Sequence, residues 1–85
     1  MSEQLVASRG VVVNRQELDV SISQHTAERF WRVDVRHPMG SATTGTTLDG
    51  DNFMCDLIRS AVAGEGQAWE SLAHWGHRRI NRPVW

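Results

Sequence analysis

The chain has no lysine and no tyrosine, one cysteine, two prolines, and no apolar run longer than three residues. Each shortage excludes something. A lone cysteine, Cys55, cannot close an internal disulfide, and an unpaired thiol fits a reducing compartment best. Without a long apolar run no segment has the length of a membrane-spanning helix, and residues 1–10 lack the basic-then-apolar order of a secretory leader. The expected location is therefore cytoplasmic, with no membrane partner. Nine basic residues against ten acidic ones give a formal net charge of −1 and a pI near 6.4, so there is no overall basic field. Nucleic-acid binding would need a local patch. Genomic base composition is enough to explain why all the basic residues are arginine.

A chain of 85 residues suits one domain, residues 1–85. At this size folding buries only roughly 60 to 65% of the surface that the unfolded chain exposes. Four tryptophans in so short a chain are the compositional excess, and tryptophan contributes large contact areas to cores and to binding surfaces.

The hydrophobic pattern changes period partway along. Val11, Val12 and Val13 follow Gly10, and Leu18, Val20 and Ile22 then alternate with Asp19, Ser21 and Ser23. Trp31, Val33 and Val35 alternate in the same way with Arg32, Asp34 and Arg36. Period two is the mark of a half-buried strand, so three strands are expected across residues 10–36. Pro38 and Gly40 interrupt the pattern, and the Ser/Thr/Gly-rich residues 38–50 are expected to form a flexible loop. The threonine pairs at 43–44 and 46–47 leave room there for a short edge strand.

Helical spacing begins after this loop. Phe53, Met54, Leu57, Ile58, Ala61 and Val62 fill about half a helical wheel over residues 51–63, with Asp49 or Asp51 as the expected N-cap and Gly64 as the terminator. A second helix is expected over 67–80. Trp69, Leu72, Ala73, Gly76 and Ile80 lie on its inner face, and Glu70, His74, His77, Arg78 and Asn81 on its outer one. The expected fold is α+β: a small antiparallel sheet of about three strands, followed and covered by a two-helix hairpin.

Four motifs invite a chemical reading. Residues 40–47, Gly-Ser-Ala-Thr-Thr-Gly-Thr-Thr, imitate P-loop spacing but lack the lysine that reaches the terminal phosphates. Asp49-Gly50-Asp51-Asn52 starts like a calcium loop, then places Phe53 at a ligand position. His74 and His77, with Cys55, His37 or His25, could supply zinc donors, yet no paired-cysteine knuckle accompanies them. Ser23, His25 and Asp19 are near in sequence, which does not make a triad. Cys55 lies at the margin of an apolar helix face, where a small packing residue is usual. No catalytic residue, cofactor or metal is therefore expected.

The carboxyl-terminal stretch is more pointed. His77, Arg78, Arg79 and Arg82 lie between Trp75 and Trp85, and tryptophan with arginine dominates interface hot spots. Trp75, Arg78, Arg79, Arg82 and Trp85 are the expected binding residues. The expected function is a small noncatalytic protein-interaction domain: an accessory subunit, regulator or inhibitor docking on a larger protein, or one that self-associates. A phage or mobile element would suit such a chain. The alternative is a nucleic-acid-binding module using the carboxyl-terminal arginines or the Arg32 and Arg36 face, with phosphate contacts from arginine and base stacking on tryptophan.

Overall fold

The structure is a computed structural model, and it describes residues 3–81. Four strands, β1 (Glu3–Val13), β2 (Gln16–His25), β3 (Phe30–His37) and β4 (Gly40–Thr47), form an antiparallel sheet in chain order. Two helices follow, α1 (Phe53–Val62) and α2 (Gly66–Ile80), both packed on one face of it. Among the described residues no helix is long and apolar enough to cross a membrane.

The sheet has one strand more than the sequence suggested, and the turns explain why. Asn14 and Arg15 both adopt positive φ, 48° and 66°, the geometry of a type I′ turn whose twist matches the strands it joins. It closes the Val13–Gln16 pair. Pro38 and Met39 make a second two-residue turn, closing His37 onto Gly40. Proline thus ends β3 and folds the chain straight back, so residues 40–47 form β4 where a loop was expected. β1 also begins well before Gly10. Its first half lacks alternation because the register shifts between Leu5 and Ala7, a bulge that moves the following side chains to the other face.

Alternation sorts the two sheet faces. Val11, Val13, Leu18, Val20, Ile22, Val33 and Val35 point toward the helices and meet Ile58 and Ala61 of α1 and Ala68, Trp69, Leu72 and Ala73 of α2. Leu18, Val20, Ile22, Val33, Val35, Ile58 and Leu72 are wholly buried. Phe53, expected on the inner face of α1, is 77% exposed, because it starts the helix beyond the edge of the packed layer.

Helix α1 is capped by Asn52, not by Asp49 or Asp51: its Oδ1 accepts the Cys55 amide at 2.9 Å. Its Nδ2 donates to Thr46 Oγ1 at 3.1 Å, tying the helix start to the end of β4. Asn52→Ala should therefore cost about 1 kcal/mol in urea-unfolding stability, while Asn52→Asp, which keeps the acceptor, should cost less. Gly64 takes φ 99° and ends the helix as expected. Its amide bonds to Ala61 O and that of Glu65 to Ser60 O, both at 3.0 Å, which is the Schellman pattern.

Candidate functional site

The last turns of α2 run beside β4. Trp75 is half-buried against the core and Arg79 is exposed, its guanidinium carbon 5.7 Å from the Trp75 ring centroid. Opposite them lie Ser41, Ala42, Thr43 and Thr44, and the space between is an open groove of about 300 Å³. Of the expected binding residues, Trp75 and Arg79 thus converge on one site. Arg78 is exposed and does not line it. Arg82 and Trp85 fall outside the described residues. The helix end is closed by Asn81, whose backbone amide and side-chain Nδ2 both donate to His77 O, at 2.9 and 3.0 Å.

Beside this groove β4 is an open sheet edge. A two-residue hairpin closes on a hydrogen-bonded pair, and bonded and non-bonded pairs then alternate. Starting from His37–Gly40, the bonded pairs with β3 include Val35–Ala42, Val33–Thr44 and Trp31–Thr46. The Leu48 amide bonded to Arg29 O at 3.0 Å continues the same parity. The N–H and C=O groups of Ser41, Thr43 and Gly45 therefore point away from the sheet, and among the described residues no partner takes them. Only Thr47 O is engaged, by the Gly50 amide at 3.4 Å and by the buried Cys55 thiol, which donates to it at 2.8 Å. Cys55 is a packing residue that pins α1 to the sheet.

Edge strands are ordinarily blunted by charge, proline or bulges. The β1 edge has such features: Glu3, Arg9 and the bulge after Leu5. β4 reads Gly-Ser-Ala-Thr-Thr-Gly-Thr-Thr, with no charge, no proline and an unbroken register. The sequence favours a loop here and leaves room only for a short edge strand on its threonine pairs; those β-branched residues behind a two-residue turn are the signal of the full eight-residue strand.

The helix-free face of the sheet is polar and self-paired. Asp34, only 8% exposed, accepts from Thr43 Oγ1 at 2.7 Å and lies 3.1 Å from Arg32 Nε. Arg32 also reaches Glu3 at 3.3 Å. His25 stacks on Phe30 with centroids 4.4 Å apart, and its ring nitrogens face Glu3 at 2.9 Å and Glu28 at 3.4 Å. The register places Glu3, Glu17, Asp19 and Asp34 on this face against Arg32 and Arg36. A phosphate backbone would meet more negative than positive charge there, and one of the two arginines is already paired. At the rim Arg29 pairs with Asp49, whose hydrogen bond and charge hold the guanidinium above its ordinary pKa.

His74 is exposed, His77 half-buried and Cys55 buried. Among the described residues, no three of the His, Cys, Asp and Glu side chains come together as a metal site would require. Comparison with known proteins adds no relative: no family model, curated protein or solved structure matches the chain.

Proposed function

We propose that this domain is a noncatalytic protein-interaction module that takes up an extended segment of another protein chain along β4, as an added strand. The observation behind this reading is the free edge at Ser41, Thr43 and Gly45, lying next to the Trp75–Arg79 groove. Strand addition divides the work of recognition. Main-chain hydrogen bonds supply affinity, and pockets for alternate side chains supply specificity. A strand laid on β4 would send every second side chain toward Ala42, Thr44 and Trp75, a wall of small residues and one aromatic ring, with Arg79 at its rim for an acidic group. Such a module suits an accessory subunit, regulator or inhibitor docking on a larger protein. A nucleic-acid role is less well supported, since the sheet face is net acidic and its Arg32 is engaged.

A randomised peptide library displayed against the folded protein tests the proposal. Selected peptides should slow amide exchange at Ser41, Thr43 and Gly45, and Trp75→Ala should weaken them by roughly thirtyfold, the loss of an interface anchor of about 2 kcal/mol. Peptides whose footprint falls on Arg32 and Arg36 would overturn it, as would oligonucleotide binding with a steep salt dependence that Arg36→Ala removes.

A further inference from the structure

We infer that the strand taken up by β4 is the β4 of a second copy of this chain, so that two domains form a two-fold dimer with a continuous eight-stranded sheet. This rests on the strand-addition reading above and names its partner.

The argument starts from symmetry. A two-fold interface sets each residue opposite its symmetry mate or opposite a residue equally far beyond the axis. The outward-pointing residues of β4 whose N–H and C=O are both free are Ser41, Thr43 and Gly45, spaced evenly about Thr43; Thr47, the next outward residue, has its carbonyl taken by Gly50 and Cys55. Antiparallel pairing about an axis at Thr43 therefore sets Thr43 against its own copy and Ser41 against the copy's Gly45. Each of these is a bonded pair, in which both residues exchange N–H and C=O groups. The unsatisfied groups of Ser41, Thr43 and Gly45 on one edge meet those of the same three residues on the other.

Side chains permit the approach. β4 has no charged residue, so no like charges stand directly across the new ladder, where they would be destabilising. Ser41, Thr43 and Gly45 are small, and on the helix-free face the two Thr43 side chains come together, a favourable cross-strand pair. The same operation applied to β1 would have to pair a bulged strand that carries Glu3 and Arg9. β4 is thus the self-complementary edge.

The axis runs perpendicular to the sheet, so both helical layers fall on one side and the two Trp75–Arg79 grooves face each other across it. On that side Ala42 of one copy lies opposite Thr44 of the other. The half-buried Trp75 ring, which a lone domain leaves partly in water, gains cover. A domain with one cysteine has no internal disulfide to stabilise it, and shared edges are a common way for small domains to enlarge their core.

Light scattering with variants on each edge tests the inference. The unaltered protein should have twice the 9.6 kDa chain mass. Thr43→Lys and Thr43→Glu each lose the Thr43 hydrogen bond to Asp34, and the glutamate also faces that carboxylate across the ladder, so both should melt at lower temperature. Below the melt each should keep the circular-dichroism spectrum of the fold but give single chains, since each places like charges at the axis. Mixed together they should regain the doubled mass. Val12→Lys, which adds the same charge to β1 at a site 66% exposed, should leave the dimer intact. Single-chain mass for the unaltered protein at its highest attainable concentration overturns the inference, as does a dimer that survives Thr43→Lys or a mixture that stays monomeric. If the unaltered protein is monomeric while library peptides still protect the β4 amides, self-pairing fails and strand addition stands. If neither copy nor peptide engages β4, both readings fail.

Discussion

Gly76→Ala should destabilise the domain by about 2 kcal/mol or more, although the same substitution in a free helix stabilises it. Alanine improves on glycine by about 1 kcal/mol in a helix interior because it restricts the unfolded chain and shields the backbone. At position 76 packing outweighs propensity. A Cβ built on Gly76 would lie 2.4 Å from both Cβ and Cγ1 of Val35 and 2.6 Å from Cγ2. Val35 is wholly buried and β-branched, so it has little rotamer freedom with which to retreat. α2 would have to lift off the sheet, and overpacking of this kind costs about 3 kcal/mol at the upper end of its usual range. After the propensity gain, the net loss should lower the melting temperature of a domain this size by about 10 °C or more. Val35→Ala removes the two Cγ contacts and leaves the Cβ one. The double variant should therefore be more stable than the sum of the two single losses by about 1 kcal/mol, read by denaturant titration of all four proteins. Additive losses would show that the helix does not meet the sheet at this point.

Gly76 also shows what local sequence can and cannot reveal. Its place on the inner face of α2 follows from helical spacing with Trp69, Leu72 and Ala73, and the structure agrees. That it is the closest approach of helix to sheet depends on Val35, 41 positions earlier, and no local pattern encodes that meeting. The same division runs through the fold. Leu18, Val20, Ile22, Val33 and Val35 were legible because one face of each strand is buried, which forces period two on the residues. β4 was not, because as an edge strand under the rim of the helical layer it buries little and needs no apolar alternation: Ala42, Thr44 and Thr46 are half-buried at most. The first half of β1 was obscured in a different way, its period broken by the bulge. Asn52 became the cap in place of its acidic neighbours because it alone also reaches Thr46, a contact across the chain. At the candidate site the sequence singled out Trp75 and Arg79, whose residue types point to binding. The groove they share with β4 depends on a hairpin that composition had marked as a loop.

Trp69 and Trp75 lie six residues apart on α2, and their replacement by alanine should divide stability from binding. Trp69 is 3% exposed and packs within the core, with the Arg9 guanidinium carbon 5.3 Å from its ring centroid. Trp69→Ala should cost roughly 3 to 5 kcal/mol, because it removes a large buried ring and leaves a cavity that Val11, Leu72 and the sheet cannot collapse to fill. Total stability at this chain length is on the order of 4 to 13 kcal/mol, so the variant should lose about 20 °C of melting temperature or fail to fold. The arginine over the ring accounts for little of this. Arg9 is exposed, a cation–π contact of that kind contributes about 0.5 to 1 kcal/mol, and Arg9→Ala should lose no more. Trp75→Ala should lose about 1 kcal/mol, since part of that ring already faces solvent in the groove beside β4. Its effect should appear in association instead, as weaker uptake of a strand at Ser41, Thr43 and Gly45. Thermal melts of the three variants, set beside their affinities for a β4-directed peptide, decide the matter. A Trp75→Ala protein that unfolds as readily as Trp69→Ala would place Trp75 in the core and leave the β4 groove without its anchor.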